Sequence, residues 1–262
     1  MPTELAQVQR ALNYGDGLFE TIRVFNGRIP LFDRHWQRLS ESSQLLGLQF
    51  PADWNASFFT EAILKIAPAN ARVRLSVWRE SGGFYRPSDD LANFLIETAP
   101  LEQSCFSWSP ILLGMAAGLR LPVDSVSNCK TMSALRYVLA ARQAAAKGWD
   151  EVLLLNTAER ICEAGSSNVF WWEHASLFTV PLSEGCVAGV MRHFLIELAA
   201  AAGYVVLEKP ATFATLEQAD EIFLSNAIRG IVPVRNFAGR PLGSANTRLL
   251  FQELIRQICT AR

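Results

Sequence analysis

Lys130 is the residue whose type and position first suggest chemistry. It lies in SNCKTMSALRY, residues 127–137, where an apolar, strand-compatible run gives way to a helix predicted over about 131–147. The positive end of a helix dipole disfavours a nearby ammonium group, so a lysine at a helix start tends toward the neutral, nucleophilic amine. Enzymes use lysines in such sites to form Schiff bases. The alternative is a solvated surface lysine, and Lys130 alone does not decide between the two.

Glu163 is the second candidate for chemistry. It lies in RICEAGSSNVFWW, between strand-like residues and just before a glycine, two serines and a very apolar strand. A carboxylate buried there without a partner would be costly, so Glu163 is either exposed on a hairpin or matched to a cation. A protonated pyridine nitrogen would be such a cation.

Two further stretches predict helix starts beside a polar or glycine-containing turn. They are GCVAGVMRHF at 185–194 and FLSNAIRGI at 223–231. Backbone N–H groups at a helix start bind phosphate without any basic side chain. An arginine can complete such a site through bidentate hydrogen bonds. Arg38 on a predicted helix is one candidate, although most helix arginines are simply solvated.

The elements that must hold these residues divide the chain into two halves. The first half combines the strands GLFETIRVF, ARVRLSVWRE and NFLIETA with a helix at about 33–46 that ends at Gly47. NGR at 26–28 predicts a hairpin turn. The stretch APLEQSCFSWS, residues 99–109, shows neither periodicity and predicts a linker. We therefore expect a small N-terminal α/β domain over residues 1–103.

The second half has clearer elements. The helix at about 131–147 is followed by EVLLLN, RICEA, SNVFWWE and SLFTV as strands, the helix VMRHFLIELAAAA, the strand YVVLEK, a short helical TLEQA, the strand EIFLS, a hairpin-like GIVPVRNFAGRPL and a final helix at about 244–259. Four consecutive strands between helices favour a mixed α+β domain over a regularly alternating βαβ sheet. We expect a larger mixed α/β domain over residues 104–262, and α+β as the fold class of the chain.

Composition excludes several functional classes. Half of the 262 residues are apolar and the net charge is −1, so nothing predicts nucleic acid or an anionic membrane as the partner. The sequence starts without an apolar h-region and has no run of about eighteen apolar residues, which predicts neither a signal peptide nor a membrane span. Five widely spaced cysteines without a CxxC pair predict reduced thiols in a cytoplasm, and neither a disulfide framework nor a metal centre.

Five motifs around Lys130 occur in an order that resembles the class IV aminotransferase family. They are YGDGLFETIRV (14–24), HWQRL (35–39), EAGSSNVFW (163–171), GCVAGVMR (185–192) and EIFLSNAIRGIVPV (221–234). Members of this family are pyridoxal phosphate enzymes of fold type IV, among them branched-chain and D-amino-acid aminotransferases and 4-amino-4-deoxychorismate lyase. The resemblance spans nearly the whole chain, and it also implies a homodimer with the active site near the interface.

The resemblance implies a role for each matching residue. Lys130 would bind the cofactor covalently and move the substrate proton, Glu163 would keep the pyridine nitrogen protonated, and Thr21 would lie near the reacting carbon. The other cofactor contacts would come from Arg38 on the phosphate, from the backbone of Val190, Met191, Asn226 and Ala227, and from Ser166 and Ser167 beside the ring. Met191 and Ala227 stand where hydroxylated residues are common in the family. Many relatives also have a strand before the YGDG motif, for which the thirteen residues before Tyr14 leave little room.

The resemblance leaves two reactions open. A lyase would convert 4-amino-4-deoxychorismate into 4-aminobenzoate and pyruvate, whereas an aminotransferase would pass an amino group to a 2-oxo acid. The GDGLFET motif and the compact chain favour the lyase. Candidates for holding a substrate carboxylate are Arg79, Tyr85, Arg86 and Arg229, or these are ordinary surface residues. A non-catalytic protein that binds pyridoxal phosphate or another phosphate ligand is a third alternative, against which the presence of both Lys130 and Glu163 argues.

Overall fold

A computed structural model describes residues 8–260 of the chain. These residues form two compact units. The first unit runs to Ser104 and also includes Cys129–Ala134, and the second comprises Cys105–Asn128 and continues from Leu135. The division between Ser104 and Cys105 lies beside the boundary predicted at 103/104. Residues 129–134, which the prediction placed in the second domain, pack with the first unit.

The first unit contains a three-stranded antiparallel sheet among its described residues. Its strands are β1 (Gly17–Val24), β2 (Ala71–Arg79) and β3 (Ala92–Pro100), with β2 in the centre. Leu18, Ile22 and Val24 of β1 alternate with residues on the opposite face and join the buried core. Glu20 also lies on this core-facing side of β1, and Thr21 lies on the opposite face.

The described part of the first unit also contains three helices: α1 (Gln9–Tyr14), α2 (Phe32–Leu46) and α3 (Ala56–Ile66). Helix α2 confirms the predicted helix and ends at Gly47, which adopts φ +66°. Leu45 does not lie on its buried stripe and is exposed. Helix α3 was not predicted, although the Asn55 side chain caps it by accepting from Phe58 N at 3.0 Å.

The second unit contains a nine-stranded mixed sheet among its described residues. The strands are β4 (Ile111–Leu121), β5 (Glu151–Asn156), β6 (Ile161–Ala164), β7 (Asn168–Glu173), β8 (Ser176–Thr179), β9 (Val205–Glu208), β10 (Glu221–Asn226), β11 (Gly230–Phe237) and β12 (Arg240–Pro241). The order is β6-β5-β4-β11-β10-β7-β8-β9, and β12 pairs with β11. Because β4 runs parallel to both β5 and β11 while most other pairs are antiparallel, the sheet is mixed.

Four helices pack against this sheet or beside it. They are α4 (Leu135–Lys147), α5 (Val190–Ala201), α6 (Phe213–Gln218) and α7 (Ala245–Ile258). Helix α4 covers β4 and β5, whereas α5 and α7 contact β10. The core between them includes the fully buried Trp171 and the aliphatic residues of β5. The predicted α+β fold class is confirmed.

The prediction that all five cysteines are reduced is wrong for one pair. Cys105 and Cys259 form a disulfide, with their Cα atoms 5.7 Å apart, while Cys129, Cys162 and Cys186 are buried free thiols. The bonded cysteines are separated by 154 positions in the sequence. Their spacing therefore could not show that the chain entering β4 passes beside the end of α7.

None of the helices within residues 8–260 is long and apolar enough to cross a membrane. The described side chains also include no cluster of three or more His, Cys, Asp or Glu that could hold a metal ion.

Candidate active site

Lys130 lies on an extended segment against β1, and the helix predicted to start beside it begins only at Leu135. Lys130 O accepts from Phe19 N, and Met132 N donates to Gly17 O, both at 2.9 Å. Thr131 forms an antiparallel bridge with Leu18. The backbone groups that would continue the helix toward Lys130 are thus bonded to β1 instead. The helix-dipole argument for a neutral amine at Lys130 is therefore wrong.

The surroundings of the Lys130 amine come from the outer face of β1 and β2. Its Nζ atom lies 4.4 Å from the centre of the Phe19 ring. Thr21 is two residues after Phe19 on the same face of β1, and its cross-strand partner is Arg74. The structure thus brings Lys130 and Thr21 to one face of the sheet, as their predicted roles require.

Arg74 is a residue on this face that the sequence reasoning missed. Its guanidinium carbon lies 3.8 Å from the centre of the Phe19 ring, and its Nε donates to Ser76 Oγ at 3.1 Å. Burial lowers the pKa of Arg74, and Glu97, whose carboxylate is 3.9 Å away, opposes that shift. The alternation of ARVRLSVW was the available signal, because it puts the arginine side chain on the face opposite Val73 and Leu75.

Arg38 is fixed by Glu20 of the GLFET motif. Its Nε donates to Glu20 Oε1 at 2.8 Å and its Nη2 to Glu20 Oε2, while His35 Nδ1 lies 2.7 Å from Glu20 Oε2. Burial raises the pKa of Glu20, but the charge of Arg38 and the hydrogen bonds from His35 and Arg38 outweigh it and lower the pKa to about 2. Glu20 therefore holds the Arg38 side chain in place, and the contact of Arg38 with a phosphate stays a prediction.

The pKa of His35 is shifted in the direction that keeps the ring neutral. Burial lowers it, and the contact with Glu20 only partly opposes that effect. A neutral His35 that donates from Nδ1 satisfies Glu20 without adding charge. The sequence reasoning took HWQRL as one motif and missed that its histidine and arginine share one carboxylate.

The substrate candidates of RESGGFYRP occupy different surroundings. Arg79 is buried and fully engaged, since its three nitrogens donate to Asp16, Asp90, Leu46 O and Gly47 O. Its predicted alternative role in holding a substrate carboxylate is therefore not supported by the geometry. Tyr85 and Arg86 are exposed on the loop between β2 and β3, where the Tyr85 ring lies 5.4 Å from that of Tyr14.

Glu163 is buried in β6 of the second unit, with 3 % of its surface exposed. Its Oε1 accepts from the hydroxyl of Tyr137 at 2.6 Å, and its Oε2 accepts from Val187 N at 3.1 Å. The reading as an exposed hairpin glutamate is therefore wrong. Both donors are neutral, so neither cancels the negative charge of Glu163. Tyr137, in the first turn of α4, is a second residue that the sequence reasoning missed.

The loop GCVAG, residues 185–189, leads directly into α5, as predicted. Asn168 Nδ2 donates to Val187 O at 2.9 Å, and a Cβ atom on Gly189 would lie 1.9 Å from Asn168 Oδ1. Only glycine therefore fits at position 189 without displacing Asn168. No side chain among the described residues caps α5, so its first N–H groups, at Val190 and Met191, suit an anion.

The second predicted helix start, FLSNAIRGI, is a tight turn between β10 and β11, so that prediction is wrong. Asn226 Oδ1 accepts from Ile228 N at 3.0 Å and from Arg229 N at 2.8 Å. Gly230 then adopts φ +67° and starts β11. An asparagine side chain that bonds its own turn favours this geometry over a helix. Ala227 lies within the turn and Arg229 is exposed.

The two predicted serines differ in their contacts. Ser167 is buried, and its Oγ accepts from Asn226 Nδ2 at 2.9 Å, so two predicted cofactor residues meet directly. Ser166 is exposed and donates to Glu151 Oε2 at 2.6 Å. Of the pair, Ser167 is therefore the one joined to the rest of the candidate site in this unit.

Comparison with known proteins connects these residues to a family. The model of the amino-transferase class IV family matches residues 17–237. An aminodeoxychorismate lyase from Vibrio harveyi is 26% identical over 254 residues, which are 92% of this chain and 92% of the relative.

Two solved structures share the architecture. The 4-amino-4-deoxychorismate lyase of Pseudomonas aeruginosa has a TM-score of 0.80 and 29% identity, covering 95% of this chain and 93% of that one. The branched-chain aminotransferase of Thermoproteus uzoniensis, solved with norvaline, has a TM-score of 0.85 and 25% identity, covering 96% and 88%. The chain therefore belongs to the class IV aminotransferase family, and it is an enzyme with the fold type IV architecture and the pyridoxal phosphate cofactor of that family.

Proposed function

We infer that the chain is a 4-amino-4-deoxychorismate lyase. The observation that carries this inference is the position of Thr21 on the same face of β1 as Phe19, whose ring the Lys130 amine contacts. A lyase needs one group to take a proton from carbon and a second to hydrogen-bond the leaving oxygen, and an amine and a hydroxyl on one face of the sheet provide that pair. The similarity to two lyases over more than nine tenths of the chain supports the same choice.

The residues present fit pyridoxal phosphate. A buried carboxylate with neutral donors, Glu163, suits a protonated pyridine nitrogen, and the uncapped start of α5 suits a phosphate. Arg38, held by Glu20, would add a positive charge to the phosphate. When bound, the cofactor supplies an electron sink for the carbon that loses its proton.

The chain's own residues would carry the rest of the reaction. Lys130 would take the proton from the ring carbon that bears the amino group. The carbon–oxygen bond to the enolpyruvyl group then breaks, the electron pair of the lost C–H bond completes the aromatic ring, and Thr21 would hydrogen-bond the departing oxygen. A proton returned to the enolpyruvate gives pyruvate, so 4-aminobenzoate and pyruvate account for every atom of the substrate. Arg74, on the same face, would bind a substrate carboxylate.

An aminotransferase is the second candidate. The similarity to a branched-chain aminotransferase favours it, and Arg74 would suit the carboxylate of an amino acid equally well. The two activities differ in their need for an acceptor. The lyase needs none, whereas an aminotransferase turns over only when a 2-oxo acid removes the amino group from the cofactor.

The deciding experiment supplies 4-amino-4-deoxychorismate without any 2-oxo acid and measures pyruvate and 4-aminobenzoate. Equal amounts of the two products are expected. An amino-acid panel with 2-oxoglutarate is run in parallel. Amino transfer in the panel, with no pyruvate from 4-amino-4-deoxychorismate, would overturn the lyase assignment in favour of the aminotransferase.

Two variants test the residues behind this assignment. Lys130→Ala should abolish turnover and the visible absorption of lysine-bound cofactor. Thr21→Ala should lower kcat about a hundredfold while cofactor affinity stays unchanged, because a positioned proton donor contributes at least that much. Thr21→Ser, which keeps the hydroxyl, is the matched control and should retain most activity. Full lyase activity in Thr21→Ala would remove the main support for the proposal.

We further propose a homodimer, and the expected mass by light scattering is twice 29.1 kDa. The proposed location is the cytoplasm. The disulfide between Cys105 and Cys259 removes the cysteine-based argument for that compartment. Fractionation of the source cells would test the location directly.

A further inference from the structure

Tyr137 contacts the residue expected to pair with the cofactor ring, although no motif drew attention to it. Its hydroxyl donates to Glu163 Oε1 at 2.6 Å, the shorter of the two described hydrogen bonds to that carboxylate. Tyr137 belongs to α4 and Glu163 to β6, so the bond joins two elements of the second unit. A buried carboxylate otherwise rotates or takes up a proton, and a fixed donor opposes both.

The tyrosine can act only as a donor at any working pH. Burial raises its pKa far above the usual range, and the negative charge of Glu163 and the hydrogen bond between them raise it further. The phenol therefore keeps its proton and directs it at Oε1. An arginine or lysine in its place would neutralise Glu163, whereas the phenol donates a hydrogen bond without adding a positive charge.

Two buried thiols near Glu163 stay neutral. Burial, followed by the charge of Glu163, raises the pKa of Cys186 to about 12 and that of Cys162 even further. Neither thiol is therefore ionised near neutral pH. Val187 N, the donor to Oε2, does not titrate. Tyr137 and Val187 thus each hold one oxygen of Glu163.

We propose that Tyr137 is a positioning residue that keeps Glu163 ionised and aimed, so that the proton shared with the cofactor's ring nitrogen stays on the ring. The proposal rests on the proposed pairing of Glu163 with that nitrogen. Without the hydroxyl, Glu163 is a stronger base in a buried site, and the shared proton moves toward the carboxylate. A ring nitrogen without its proton withdraws electrons less effectively.

The experiment measures binding, not turnover. The apoprotein is titrated with pyridoxal phosphate and with an analogue in which a C–H group replaces the ring nitrogen, and the ratio of the two Kd values is determined. Tyr137→Phe removes one oxygen and keeps the ring. Any loss of packing in this variant would weaken the binding of both ligands equally and would by itself leave the ratio of the two Kd values unchanged. A hydrogen bond to a charged group is worth about 1.5–3 kcal/mol, so we expect the preference for the natural cofactor to fall about tenfold or more.

Two further variants separate the possible outcomes. Glu163→Gln should remove nearly all of the preference, and Tyr204→Phe, a tyrosine packed on Trp172 away from these hydrogen bonds, should leave it unchanged. An unchanged ratio in Tyr137→Phe, together with a lost preference in Glu163→Gln, overturns the role of Tyr137 alone. If Glu163→Gln keeps the wild-type preference, the ring-nitrogen pairing itself is wrong. Circular dichroism of each apoprotein variant verifies its fold.

Discussion

Acidification should destabilise the first unit through Glu20. The pKa of this buried carboxyl is lowered from 4.5 to about 2, because the charge of Arg38 and the hydrogen bonds of His35 and Arg38 outweigh the effect of burial. The unfolded chain, with the ordinary value, binds more protons between pH 4.5 and 2. The stabilisation is therefore complete above pH 4.5 and is lost as the pH falls toward 2.

The size of this effect follows from the shift. At 1.36 kcal/mol per pKa unit, the interactions of ionised Glu20 are worth about 3 kcal/mol at neutral pH. About 1 kcal/mol of that is lost by pH 4 and about 2 kcal/mol by pH 3. Glu20→Gln resembles the protonated acid, so the variant should be about 3 kcal/mol less stable than the parent at pH 7 and only about 1 kcal/mol less stable at pH 3.

Urea unfolding of both proteins, followed by tryptophan fluorescence between pH 7 and pH 3, measures this convergence. Glu41→Gln, on the helix α2 that carries Arg38, is the matched control, because Glu41 is exposed and its described hydrogen bond is with Gln37. The free energy of unfolding of Glu41→Gln should change with pH in the same way as that of the parent. A gap between Glu20→Gln and the parent that stays constant from pH 7 to pH 3 would refute the assignment of a lowered pKa to Glu20.

Two other predictions concern the second unit. Cys105→Ser removes a disulfide that closes a loop of 154 positions and should lower the free energy of unfolding by about 2–5 kcal/mol. The parent protein in reductant should be as stable as the variant. Identical unfolding midpoints for the parent, the reduced parent and the variant would show that the bond does not form. Gly189→Ala places a Cβ atom 1.9 Å from Asn168 Oδ1, so it should weaken pyridoxal phosphate binding in a spectroscopic titration, and unaltered affinity would argue against the α5 phosphate site.

The sequence predicted most elements because their patterns are local. Alternation marked β1 and β2, and Gly47 marked the end of α2. Helix α3 was missed because its aromatic residues mask the helical period, although the Asn55 cap was visible. The disulfide depends on two chain segments meeting in space, and no local pattern reports that.

The segment around Lys130 also shows that local sequence patterns do not report tertiary contacts. Its neighbours in sequence are compatible with a helix, and propensity alone extended that helix to Thr131. Phe19 N and Gly17 O instead bond to the backbone of this segment, so tertiary contacts with β1 override the local preference. Lys130 stays the predicted nucleophile, but the helix-dipole reason given for it is wrong. Its family motif carried the prediction, and the structure supplies a different environment.

Glu163 shows how far the cost of burial predicts the surroundings of a carboxylate. That cost predicted either exposure or a matching cation; Glu163 is buried, and its described hydrogen bonds come from a phenol and a backbone N–H, while the pairing with a pyridine nitrogen stays a prediction. These two donors lower the cost of burying Glu163 and add no positive charge themselves. A ligand that brings its own positive charge would be attracted to this carboxylate, as a protonated pyridine nitrogen would be.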